Sequence, residues 1–111
     1  APYGQAAKQV LEDRGLWNAL EGRRVMGENI AQAYQFVRTR NAQLGFVALS
    51  QLAAPGQTPG GSRWLVPQDL HDPIDQQAVL LADEPGPRAF LAFVLGEQGQ
   101  AILRDYGYEV P

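Results

Sequence analysis

The segment Leu44-Gly45-Phe46-Val47-Ala48-Leu49 constrains the fold more than any other. It is apolar throughout and short for a helix, so it reads as a strand buried on both faces. Such strands belong to parallel sheets whose faces carry helices, and the flanking sequence supplies the helices. Between Gln5 and Arg14, the residues Ala6, Ala7, Val10 and Leu11 recur at helical spacing, and Gly15 stands where that helix would stop. Ile30, Ala33, Tyr34 and Val37 share a second helical face, with Asn29 placed as its N-cap. Arg38 and Arg40 suit the negative end of this helix, and Asn41 is placed as its terminus. Residues 23–26, 63–66 and 78–82 read as further short strands. Pro87 suits the first turn of a last helical stretch, apolar along Ala89, Phe90, Phe93 and Val94. Gly96 interrupts it, residues 100–106 resume it, and Gly107 ends it. The expected fold class is α/β: a small, mostly parallel sheet flanked by helices, followed by a C-terminal helical segment.

Composition narrows the function. The 111 residues are 45% hydrophobic and 19% charged, an ordinary globular balance for one compact domain. Nine Lys and Arg against twelve Asp and Glu, with no basic stripe, give nucleic acid nothing to bind. No apolar run approaches the length of about 18 residues that a membrane span needs. With no cysteine there is no disulfide, no thiolate metal ligand and no thiol nucleophile. This agrees with an exported bacterial protein. The opening Ala1-Pro2-Tyr3-Gly4, without Met or signal peptide, reads as a cut from a longer chain.

Candidate chemistry is sparse. The single histidine, His71, lies in Asp69-Leu70-His71-Asp72-Pro73-Ile74-Asp75. Four of these side chains could ligate a metal, but the spacing matches no strong metal motif, and a solvated polar turn is the plainer reading. The Gly-rich loop of residues 54–62 lacks the Lys-Ser/Thr ending of a phosphate loop and reads as a connection. The carboxylates are scattered, so no paired acid and base emerges and no catalytic residue is assigned. Two helix starts carry more. Tyr3 and Gly4 open the first helix, and Gly4 allows close approach to the backbone; Asn29 and Ile30 open the second. A helix N-terminus offers unpaired N–H groups and about half a positive charge, so two of them converging would make an oxyanion site without Arg or Lys; every helix has such a start, however, and most are merely capped.

The order of the segments adds a resemblance. Pro2-Tyr3-Gly4-Gln5-Ala6-Ala7, Leu11-Glu12 and Gly15-Leu16-Trp17 resemble the start of the second lobe in periplasmic molybdate-binding proteins of ABC uptake systems. Gly27-Glu28-Asn29-Ile30, Leu44 to Gln51, Trp64-Leu65-Val66-Pro67 and Ile102 to Tyr108 continue it in order. The resemblance implies one lobe of a class II periplasmic-binding-protein fold, in which two α/β lobes close on the anion. It implies backbone N–H donors at Tyr3 and Ile30, with Gly4 and Asn29 beside them. Some members add a tyrosine hydroxyl just after the buried strand; Ala48 stands there, which leaves that place to the Tyr3 hydroxyl or Ser50. The ligand would be molybdate or tungstate, with no cofactor and no metal ligand among the side chains. The partners would be an ABC permease and a first lobe absent from this chain, and the location periplasmic.

On this reading residues 1–76 are the second lobe, residues 77–83 a crossover strand, and residues 84–111 a helical segment shaped to pack on the first lobe. Phe90, Phe93, Val94, Ile102, Leu103 and Tyr106 would then lack their cover. That predicts repacking, or a homodimer through the C-terminal helices. Two alternatives stand beside the transport reading: a self-associating structural fragment without useful anion binding, and the effector-sensing domain of a transcription regulator.

Overall fold

The structure is a computed structural model and describes residues 2–111. Among the described residues five α-helices and one 3-10 turn follow in order: α1 (Pro2–Asp13), α2 (Ile30–Arg38), α3 (Leu49–Ala53), the turn Gln68–Leu70, α4 (Pro85–Leu95) and α5 (Glu97–Asp105). They fall into two compact units. One holds Ala1–Ala48 and Pro59–Ile74, the other Leu49–Thr58 and Asp75–Pro111.

The helix ends follow from their sequence. α1 begins on Pro2, whose missing N–H would have had no partner inside the helix. It closes on Gly15 at φ 68°, a left-handed conformation that glycine takes without a Cβ penalty. There the Gly15 N–H donates to the Glu12 carbonyl at 3.0 Å and the Leu16 N–H to the Leu11 carbonyl at 2.7 Å, a Schellman end. α5 ends the same way, with Gly107 at φ 85°, the Gly107 N–H on the Arg104 carbonyl and the Tyr108 N–H on the Leu103 carbonyl. α2 departs from expectation. It ends at Arg38, and the left-handed residue is Arg40 at φ 63°, not Asn41. Asn41 instead donates its amide to the Thr39 hydroxyl at 2.9 Å, and that hydroxyl donates to the Gln35 carbonyl at 2.7 Å. Both prolines of α4 sit in its first turn, and Gly96 separates α4 from α5.

No strand is assigned among the described residues. Residues 23–26, 44–48, 63–66 and 78–82 run without the ladder that defines a strand, and Leu49 opens α3 where the strand was expected to end. The reason is physical. An apolar run states a need for cover, but a ladder needs a neighbour's N–H and C=O groups, and no periodicity within the run supplies them. Cover is partly met at residues 46–48, where Ala48 is 4% exposed. It is not met at residues 78–82, where Leu81 is 93% exposed.

The core is thin. Among the described residues, the buried apolar side chains are Ala6, Val10 and Ala48. The accessible surface is 8972 Å². In the first unit, Trp17 anchors a cationic cluster: the Arg24 guanidinium lies 3.4 Å from its ring centre and the Lys8 ammonium 5.1 Å. In the second unit α4 packs on α5, and Gly99 makes the closeness possible. A Cβ there would meet the carbonyl oxygens of Phe93 and Val94 and stand 2.8 Å from the Val94 Cα. Phe90, Phe93, Ile102 and Tyr106 are exposed, Phe90 by 68%, while Val94 and Leu103 are half-buried.

Candidate functional site

All four residues singled out from the sequence lie at the two long helix starts of the first unit. Tyr3 is the second residue of α1 and is half-buried; Gly4 follows and is exposed. A Cβ built on Gly4 meets nothing within 4 Å, so the space beside this backbone is open. Pro2 has no N–H, and the described helix therefore presents the Tyr3 N–H first.

At α2 the local chemistry is reciprocal. Asn29 is extended, at φ −154° and ψ 171°, and its side-chain oxygen accepts the Gln32 N–H at 2.9 Å. The Gln32 side-chain oxygen in turn accepts the Glu28 N–H at 2.6 Å. This is a capping-box arrangement shifted by one residue, and it holds the chain rigidly where it enters the helix. Ile30, the first helical residue, is half-buried. The cap takes the N–H of the third helical residue, Gln32.

Gly27 makes the entry possible, and the helical pattern alone does not point to it. A Cβ on Gly27 would stand 2.8 Å from the Ala33 nitrogen and 3.0 Å from the Asn29 oxygen. Those two atoms form the first hydrogen bond of α2, at 3.1 Å. The glycine therefore lies against the bond that starts the helix. Gly45 has a similar part, because a Cβ there would meet the Val37 side chain on α2.

Two further contacts were invisible in the sequence. The Gln9 amide of α1 donates to the Asp72 carboxylate at 2.8 Å, and the Gln9 side-chain oxygen accepts the Asp72 backbone N–H at 2.9 Å. The His71 ring Nδ1 lies 2.7 Å from the Asp72 carbonyl. A carbonyl only accepts, so that nitrogen carries a proton. The loop that carries these potential metal ligands braces α1. Among the described residues no three His, Cys, Asp or Glu side chains gather to hold a metal ion. Ala48 lies buried at the end of the apolar run and carries no hydroxyl.

The first unit thus holds two long helix starts, that of α2 capped by Asn29. The chain belongs to the family of bacterial extracellular solute-binding proteins, whose model matches residues 1–109. This is a family of binding proteins, not of enzymes. Among its relatives, a molybdate-binding protein of Azotobacter vinelandii is 49% identical over 97% of this chain and 44% of its own length. One of Rhodobacter capsulatus is 46% identical over 97% of this chain and 43% of its own. In three dimensions the chain is similar to the solved periplasmic molybdate-binding protein of Azotobacter vinelandii, with a TM-score of 0.88 at 35% identity. That match covers 99% of this chain and 50% of the other. The fold is therefore that of half a periplasmic molybdate-binding protein, as the sequence led one to expect, although the sheet is not assigned here. The chain spans less than half the length of the curated relatives it matches.

Proposed function

We propose that this chain is the second lobe of a molybdate- or tungstate-binding protein of an ABC uptake system. The observation that carries the reading is the 49% identity to a molybdate-binding protein along 97% of the chain. The geometry of the two helix starts supports it. Tyr3 and Ile30 would donate backbone N–H groups, Gly4 would leave room for the anion, and Asn29 would hold the second start in place. The rest of the site would come from a first lobe. Residues 1–76 would form the lobe, residues 77–83 the crossover, and residues 84–111 the segment that covers the first lobe. The protein would work in the periplasm and deliver its ion to a membrane permease.

Selectivity follows from donors alone. Backbone N–H groups satisfy a fully deprotonated tetrahedral dianion. A protonated anion such as hydrogen phosphate brings a proton that needs an acceptor, and leaving it buried and unpaired costs about 1–3 kcal/mol. Calorimetric titration of molybdate, tungstate, sulfate and phosphate into the 111-residue chain and into the intact protein that carries it tests the reading. Tight molybdate or tungstate binding by the intact protein, with little by the chain alone, is expected. No binding of either ion by the intact protein would overturn it.

A further inference from the structure

We infer that Gln9 and Asp72 are positioning residues for the anion site, acting through α1. The inference rests on the reading that the start of α1 donates to the ligand. Gln9 spends both ends of its carboxamide on one residue 63 positions away in the chain, donating to the Asp72 carboxylate at 2.8 Å and accepting the Asp72 N–H at 2.9 Å. A paired bond of this kind fixes direction as well as distance.

The rest of the contact follows the helix. Pro2, Gln5, Ala6 and Gln9 stand at helical spacing and line one groove with Asp72, Pro73 and Ile74. Ala6 is buried, so this face is the one that α1 commits to the unit. The 3-10 turn Gln68–Leu70, just before the loop, also packs on α1. His71 braces the loop through the Asp72 carbonyl. Tyr3 precedes Gln9 by six residues, about 9 Å along a helix. A helix is stiff over that length, so a slip at Gln9 reappears at the Tyr3 N–H almost undiminished. Donors in a binding site tolerate about 0.5 Å of misplacement. The clasp thus sets the depth to which the helix start reaches toward the anion, without touching the anion itself.

The test exchanges the partners of the clasp. Q9E places a second carboxylate against Asp72 and removes the donor, while D72N alone keeps a hydrogen-bonding pair that can be made by turning the amide. The double variant Q9E/D72N restores one donor and one acceptor in reversed order. Affinity for molybdate is measured by calorimetry on the intact protein at 25 °C, with folding checked by thermal melting. The expected result is a Kd weakened about tenfold in Q9E and returned to within about twofold of the parent in Q9E/D72N, because a lost charge-assisted bond is worth a factor of this order. A Q9E protein that is folded at 25 °C, melts lower and binds molybdate as the parent does would show that the clasp only holds the loop, and would overturn the inference. So would a double variant that stays as weak as Q9E. If the parent itself binds no molybdate, the proposed function fails and the clasp falls with it, which keeps the two failures apart.

Discussion

Replacing Gly27 with alanine puts one methyl group against the first hydrogen bond of α2. Its nearest neighbours would be the Ala33 nitrogen at 2.8 Å, the Asn29 oxygen at 3.0 Å and the Ala33 Cα at 3.2 Å, all backbone. Ordinary contact begins at 3.4 Å, so the gap must open by 0.6 Å, from 2.8 to 3.4 Å. No flexible side chain can absorb that movement. Either the bond from the Ala33 N–H to the Asn29 carbonyl lengthens or the whole entry segment moves off the helix. Overpacking of this kind costs about 1–3 kcal/mol. For a domain near this size each kcal/mol lowers Tm by about 4–8 °C, so G27A is expected to melt about 5–20 °C below the parent. Circular dichroism at 222 nm on the 111-residue chain reads the stability, and calorimetry on the intact protein reads the site. The shift of the Asn29 and Ile30 backbone should weaken molybdate binding about tenfold. G4A is the matched control for stability: its Cβ meets open space, and alanine in place of a helical glycine stabilises by about 0.5–1 kcal/mol. A G27A chain that melts within 1 °C or so of the parent would refute the argument that backbone contact at Gly27 fixes the start of α2.

Further outcomes separate capping from binding. N29D keeps an acceptor for the Gln32 N–H and should melt within about 0.5 kcal/mol of the parent, yet its charge should weaken molybdate binding by more than tenfold in calorimetry. N29A loses the cap and should cost about 1 kcal/mol in a urea melt. G99A, whose Cβ would run into the backbone of α4, should destabilise the second unit by about 1–3 kcal/mol, seen as faster amide exchange across residues 85–105. The 111-residue chain should bind the dye ANS or scatter light as more than one copy, because Phe90, Phe93, Leu95 and Ile102 are exposed together with Leu80 and Leu81. F90S/F93S should reduce both signals, and a parent that scatters as a single copy and binds no dye would show that these faces are covered.

The legible parts of this chain were those that local chemistry dictates. Gly15 and Gly107 were readable as helix ends because a left-handed residue is cheap only without a Cβ, and both take positive φ. Asn29 was readable as a cap because its short side chain reaches the backbone three residues on, and it does. The start of α3 was not legible, since Leu49 continues an apolar run and nothing local marks a change from extended to helical. Asn41 was read as the end of α2, but the helix stops at Arg38, the Thr39 and Asn41 side chains bond to each other, and Arg40 takes the left-handed conformation. The Gln9–Asp72 clasp had no signal at all, because hydrogen bonding between residues 63 apart leaves no trace in the spacing of either.

The same distinction explains why the start of α2 was legible while the strands expected from the sequence form no ladder among the described residues. A capped helix start is complete within about six residues, and Glu28 to Ala33 builds its cap and first hydrogen bond from its own atoms. A strand is never complete in itself. Residues 78–82 show this: they are apolar enough to demand cover, and Val79, Leu80 and Leu81 remain exposed. Local completeness is also what an anion site of this kind requires. The donors must be held in place before the ion arrives, since any ordering left until binding is subtracted from affinity. The α2 start meets that requirement through Gly27, Asn29 and Gln32, all within six residues. The α1 start is braced six residues along the helix by the Gln9–Asp72 clasp. Substitutions at Gly27 should therefore act on α2 alone, substitutions at Gln9 on α1 alone, and their effects on molybdate affinity should add if the two starts are held independently.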